Sequence, residues 1–226
     1  MGWTDWVRGA EIEPSIYAAD FSRLGEQLET LIGAGAKIFQ FDVGDGQFVE
    51  PITIGPIVLQ SISPRVHELG GVLDCHLMIV SPEKHFEAIS DAGGDSVTVH
   101  YEVCVDLPGV IAQARALGLG VGVAFNPESE PDEVAEAAGE LVDLVLCMSI
   151  HPGYSGQPFM PEAIPRVARL RELLPDHVHI QVDGGVGLEN VRELVASGAD
   201  LLVAGSSVFG KDDPTDGYRS LVQTLG

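Results

Sequence analysis

The stretch HVHIQVDGGVGLENVRELVASGADLLVAG (177–205) carries the reading that decides the fold. Its first seven residues alternate, with Val178, Ile180 and Val182 on one face and His179, Gln181 and Asp183 on the other, which is the period of a strand. After a Gly-rich turn, LENVRELVASGAD spaces its apolar residues as a helix does and closes on a glycine. LLVAG (201–205) is a second apolar run, so the stretch reads as strand, helix, strand, with the two strands parallel.

The same unit recurs outward through the chain. Strand candidates lie at 12–18, 37–43, 72–79, 96–101, 120–125, 144–150, 177–183 and 201–205, eight in all. Between them run amphipathic segments such as FSRLGEQLETLIGAG (21–35), SPEKHFEAISDAGG (81–94), LPGVIAQARALG (107–118), PDEVAEAAGELV (131–142) and EAIPRVARLRELL (162–174). Gly33, Gly93, Gly118 and Gly198, each just before the next strand, are expected to be left-handed helix caps. No Pro- or Ser-rich linker divides the 226 residues, which predicts one domain, a closed (β/α)8 TIM barrel. An open doubly wound sheet is the alternative.

Composition narrows the function. Asp and Glu number 34 against 12 Lys and Arg, a formal net charge of −22, so nothing here neutralises nucleic-acid phosphates in bulk. The N-terminal residues lack the basic start and apolar core of a signal peptide, and no run approaches a membrane span, so a cytoplasmic protein with no membrane partner is expected. Cys75, Cys104 and Cys147 form no C-x-x-C pair and read as small core residues. The acidic, lysine-poor surface suggests a salt-loaded cytoplasm, in which case activity and melting temperature should respond to molar KCl.

Barrel enzymes carry their chemistry at the C-terminal strand ends. There the inward parity selects Gln40 and Asp42 in KIFQFDV, Asp74, His76 and Met78 in VLDCHLMI, and His179, Gln181 and Asp183 in HVHIQVD. Carboxylates at Asp42 and Asp183 inside a barrel need compensation, and a divalent cation held by both with the His76 imidazole supplies it. Such a mixed set suits zinc, manganese, iron or cobalt. Taken singly, each Asp reads equally well as half of a structural ion pair, and His76 as a satisfied core histidine. The Gly-rich loops HPGYSGQPF (151–159), DGGVG (183–187) and AGSSVFG (204–210) follow the last three strands, where backbone N–H groups of barrels cradle a phosphate. No nicotinamide or flavin is expected, because DGGVG does not fit G-x-G-x-x-G.

With these motifs in place, the chain resembles the ribulose-phosphate 3-epimerases and their hexulose-phosphate relatives. The matching stretches are PSIYAADF (14–21), FDVGDGQFV (41–49), ITIGP (52–56), LDCHLM (73–78), TVHYE (98–102), NP (126–127), MSIHPGYSGQPF (148–159), VDGGVG (182–187) and VAGSSVF (203–209). The resemblance implies a metal-dependent epimerase working at C3 of a ketose phosphate, by default between D-ribulose 5-phosphate and D-xylulose 5-phosphate. One of Asp42 and Asp183 would remove the proton, a divalent cation would stabilise the enediolate, and the other Asp would return a proton to the opposite face. It places Gln40, Asp42, His76 and Asp183 around the metal. Ser15, His76, Met78, Met148, Gly153, Tyr154, Ser155, Gly156, Gly184, Gly185, Gly205 and Ser206 would bind the substrate. Relatives often form homo-oligomers.

The chain departs from the family pattern at Gln40, where the first metal ligand is usually His, and at Gly44, Gln47, Ala18 and His151. An amide oxygen is a neutral, harder ligand than imidazole, which lowers zinc affinity and favours manganese or magnesium. Gly44 is expected to leave extra room beside the metal, and His151 and Tyr154 to offer new polar contacts to a sugar. A tetrulose or hexulose phosphate is therefore an alternative substrate, and a non-catalytic phosphosugar-binding barrel an alternative function. An aldolase or decarboxylase is disfavoured, because none of Lys37, Lys84 and Lys211 lies at a strand's C-terminal end.

Overall fold

The computed structural model describes residues 2–225. Its helices are α1 (Trp3–Trp6), α2 (Leu24–Ala34), α3 (Pro56–Glu68), α4 (Phe86–Asp91), α5 (Leu107–Ala116), α6 (Pro131–Ala138), α7 (Ala163–Leu173), α8 (Val191–Ala196), α9 (Ser206–Phe209) and α10 (Pro214–Leu225). They alternate with β1 (Glu11–Pro14), β2 (Ile38–Gly44), β3 (Val72–Met78), β4 (Ser96–His100), β5 (Gly120–Phe125), β6 (Leu144–Met148), β7 (His179–Asp183) and β8 (Leu201–Ala204). All pairings are parallel, in the order β1-β8-β7-β6-β5-β4-β3-β2. Between β1 and β2 a single parallel bridge, Ser15 to Gln40, brings the edges together, so the sheet is a nearly closed (β/α)8 TIM barrel.

Two apolar clusters follow from strand alternation. Outward residues such as Phe39, Phe41, Leu77, Val97, Val145 and Ile180 pack under the helices. A smaller cluster fills the lumen, where Trp3 and Trp6 of α1 meet Ile38, Leu144, Leu146 and Leu201. Trp3 is 3% exposed, lies edge-on to Trp6 at 5.1 Å and touches the His179 side of the barrel, so α1 stops its N-terminal mouth. Truncating a buried tryptophan costs about 3–5 kcal/mol, and Trp3→Ala is expected to lie near the lower figure because α1 is short and can shift. Urea unfolding checks this; an unchanged midpoint would show that the plug contributes nothing.

The residues immediately before three even strands share one task at the barrel floor. Asp95, Asp143 and Asp200 accept the N–H groups of Leu73, Val121 and Ile180 at 2.8, 2.9 and 2.9 Å, tying each even strand to the odd strand before it. These acids therefore lie at the opposite end of the barrel from the C-terminal strand ends.

Some elements differ from the sequence reading. The first strand stops at Pro14 and continues as a 3-10 turn, Ile16–Ala18, not as strand to 18. The left-handed cap of α2 is Gly35, with φ 112°, not Gly33, which lies inside the helix. In α3, Pro64 and two serines interrupt the apolar spacing and mask the helical period in the sequence. Among the described residues, no helix is long and apolar enough to cross a membrane.

Candidate active site

Inward parity brings Gln40 and Asp42 of β2, His76 of β3 and Asp183 of β7 to one place at the C-terminal end of the lumen. Gln40 and His76 are fully buried, Asp42 nearly so, and the Asp183 side chain is 19% exposed. Asp42 pairs in register with His76 on β3, and Asp183 stands beside Met148 on β6. One ligating atom from each of Asp42, His76 and Asp183 lies within 4.8 Å of the others, the spacing of a metal-ligand group. Ser15 reaches Asp42 from the seam, its hydroxyl donating to Oδ2 at 2.7 Å.

Gln40 holds the centre of this cluster. Its Nε2 donates to Asp42 Oδ1 and to Asp183 Oδ2, both at 2.9 Å, while its Oε1 is buried with no partner. The amide N–H2 thus bridges two carboxylates that would otherwise repel each other. His76 supports them, with Nδ1 at 2.9 Å from Asp42 Oδ1 and 3.8 Å from Asp183 Oδ2. Burial disfavours a charged His76, but the hydrogen bond and charge of Asp42, with Asp183 behind it, win and raise its pKa. Burial, then the charge of Asp42, lifts Asp183 to about 7 against the pull of His76 and Gln40.

Below this layer a second polar ring crosses the lumen. Gln181 donates to Glu13 Oε2 at 2.6 Å and to Asp74 Oδ2 at 3.1 Å, and Ser96 donates to Asp74 at 2.7 Å. Burial, with Asp74 next, pushes Glu13 well above the ordinary carboxylate range. Glu13, Asp183 and His76 all hold a proton more tightly folded than unfolded. The Asp183 contribution is complete below the ordinary carboxylate range and is lost as pH rises through about 7, and Glu13 and His76, also raised, act in the same direction. The loss is on the order of a few kcal/mol, so metal-free protein should melt roughly 10 °C lower at pH 8 than at pH 5.5. Thermal unfolding in chelator tests this, and an equal or higher melting temperature at pH 8 would contradict it.

Above the cluster a cleft opens between the loops after β6, β7 and β8. Its walls include Ser15, Met78, Met148, Gly153, Tyr154, Ser155, Gly156, Gly184, Gly185, Gly205 and Ser206, with Asp42 and Asp183 at its base. His76 and Gln40 do not line it; they stand behind the two aspartates. Gly184 and Gly185 are required here by geometry: φ is 119° and 63°, and a Cβ would fall 2.4 Å from Ile150 and 2.6 Å from the Phe159 backbone. Their backbone therefore comes close under the cleft, as an anion cradle needs.

Two expectations about the departures fail. A Cβ on Gly44 would meet Pro51 O at 2.9 Å, Val49 at 3.0 Å and Thr53 at 3.1 Å, so the loop that follows fills the space and no extra room is left. Thr53 closes that loop, accepting from Gly44 N–H and donating to Asp42 O, each at 2.7 Å. His151 does not line the cleft; its ring turns to Glu128 at 2.5 Å. Tyr154 does line it, and its hydroxyl reaches Glu50 at 3.3 Å.

The sequence reading also missed Tyr17 and Ile150 in the wall, and His100 behind His76. His100 was legible by the rule that found His76, since Ser96, Thr98 and His100 share the inward parity of β4. Burial pushes its pKa down to about 4 despite Glu102. Burial of Glu102 opposes its ionisation, but hydrogen bonds from His100, Ser129 and Asn126 prevail and hold it at about 2.

Residues 11–209 match the model of the Ribulose-phosphate 3 epimerase family. The chain is 41% identical over 203 residues to the ribulose-phosphate 3-epimerase of Synechocystis, covering 88% of this chain and 86% of that one. It is 38% identical over 207 residues to the Bacillus subtilis protein of the same name, covering 90% and 94%. Among solved structures, 3-hexulose-6-phosphate synthase from Salmonella typhimurium superposes with a TM-score of 0.71 at 16% identity, covering 95% of this chain and 98% of that one, a likeness of fold alone.

Proposed function

Because the chain belongs to the ribulose-phosphate 3-epimerase family, it is an isomerase, an epimerase acting on carbohydrates, and we propose that it interconverts D-ribulose 5-phosphate and D-xylulose 5-phosphate by proton transfer between Asp42 and Asp183. The observation that carries this reading is the pair itself, two carboxylates from β2 and β7 at the base of one glycine-rimmed cleft, bridged by one amide.

Inversion at C3 needs a group on each face of a planar enediolate, one taking a proton and one giving it. Burial and the charge of Asp42 lift Asp183 toward the neutral range, so the cluster can present an acid and a base together. One carboxylate removes the C3 proton, and the other protonates C3 from the opposite side. Ser15 and Gln40 orient the two groups, while Met78 and Met148 give the sugar an apolar wall. Backbone amides at Gly184, Gly185, Gly205 and Ser206 hold the phosphate, which a strongly acidic protein must do locally.

The residues fit a divalent cation. Asp42, His76 and Asp183 supply three ligands, and turning the Gln40 amide brings its partnerless Oε1 to face them as a fourth. Bound there, a cation would act as Lewis acid on the substrate's oxygens and lower the cost of removing the C3 proton. Three oxygens and one nitrogen weaken the preference for zinc and make manganese, ferrous iron or cobalt more competitive.

Elemental analysis, with deuterium uptake from solvent into ribulose 5-phosphate before and after adding manganese or zinc, tests the proposal. Label at C3 with about one metal per chain is expected. Exchange only into another ketose phosphate would move the substrate, and ligand-induced stabilisation without exchange into any ketose phosphate would leave a phosphosugar binder.

A further inference from the structure

A row of side chains runs away from the carboxylate pair and out of the cation site. His76 Nε2 lies 2.9 Å from His100 Nε2, and His100 Nδ1 lies 3.3 Å from Glu102 Oε2. The other Glu102 oxygen accepts from Asn126 N–H at 2.7 Å and from the Ser129 hydroxyl at 2.6 Å. Both rings are fully buried and stacked with centroids 5.0 Å apart, and Phe48 packs on His100 at 4.6 Å.

Hydrogen bookkeeping along this row has one consistent solution. A carboxylate only accepts, so His100 carries its hydrogen on Nδ1. A second hydrogen on Nε2 would bury an imidazolium against Phe48, which leaves Nε2 as a lone pair. Nε2 of His76 must then be the donor, because two lone pairs cannot face each other at 2.9 Å. Without a cation, His76 Nδ1 also carries a hydrogen and donates it to Asp42 Oδ1 at 2.9 Å, so His76 is the charged ring, faced by two carboxylates; a cation would replace that hydrogen and take the Nδ1 lone pair. We propose that Glu102 and His100 are positioning residues that fix His76 in the Nε2–H tautomer, so that Nδ1 is the atom offered to a divalent cation.

The inference rests on the cation site proposed above. The partners beyond a metal-bound histidine set its tautomer and basicity, and removing them costs roughly 10- to 100-fold in metal affinity. His100→Phe keeps ring and volume but removes the acceptor, Glu102→Ala frees His100, and Glu102→Gln keeps its oxygen on the Asn126 N–H and the Ser129 hydroxyl, presents its NH2 to His100 Nδ1 and so reverses the row. Manganese binding, read from the electron paramagnetic resonance of the free ion, should weaken by roughly 10- to 100-fold in all three variants. In the zinc-loaded wild type, nitrogen-15 NMR of histidine should show His76 protonated at Nε2.

Unchanged manganese affinity in folded His100→Phe, or in Glu102→Gln, which keeps the Asn126 and Ser129 contacts, would overturn the relay. If the variants do not fold, the zinc-loaded wild type decides: a hydrogen on His76 Nδ1 refutes it. A wild type that binds neither metal would sink the cation reading instead. The neutral ring of His76, observed at alkaline pH, would then test the relay by the same criterion.

Discussion

Asp42→Asn and Asp183→Asn are each expected to lower epimerisation by roughly 10²- to 10⁴-fold, the range for loss of a positioned acid or base. What distinguishes a two-base mechanism is the residue of activity. If one carboxylate serves each face of C3, each variant still exchanges the C3 hydrogen of one epimer with solvent, and the two variants retain opposite epimers. Deuterium wash-in from each pure epimer, followed by NMR, measures this. Equal residual exchange from both epimers in either variant would show that a single group serves both faces. Asparagine keeps an oxygen at both positions, and manganese affinity measured alongside separates a lost base from a lost ligand.

The second large effect concerns Gln40. Gln40→His replaces an amide oxygen by imidazole, and zinc affinity should rise on the order of tenfold or more relative to manganese, because nitrogen donors favour zinc. Competition with a chromophoric chelator reads the ratio directly, and an unchanged preference would mean that Gln40 never touches the cation. Gln40→Leu removes the donor as well. It leaves two buried carboxylates facing each other, where a hydrogen bond to a charged group is worth about 1.5–3 kcal/mol. Metal-free Gln40→Leu should therefore unfold at lower urea concentration than wild type, more so at pH 8, where Asp183 is ionised. Stability equal to wild type at pH 8 would show that the amide bridge is not needed.

Much of the fold and the key residues of the site could be read from one chain, for a reason that both share. A parallel strand alternates its side chains, so Phe39 and Phe41 against Gln40 and Asp42, or Val182 against Asp183, reveal at once a buried outer face and a polar lumen. Repetition of that pattern eight times, with glycine-closed helices between, leaves a barrel as the economical closure. The order of the Gly-rich loops then marked the end of the lumen at which the cleft opens. Periodicity failed where elements are short or interrupted: α1 has four residues, and α3 contains Pro64.

The sequence alone determined which side chains enter the lumen and at which end they gather, because strand parity and direction are local properties of the chain. Only the tertiary structure decided what those side chains do to one another. That Gln40 bridges Asp42 and Asp183, that the loop through Val49 and Thr53 fills the space at Gly44, and that His100 backs His76 all depend on contacts between separate elements. Gln40 and Asp183 are 143 residues apart in sequence, and only barrel closure brings the amide within 2.9 Å of that carboxylate.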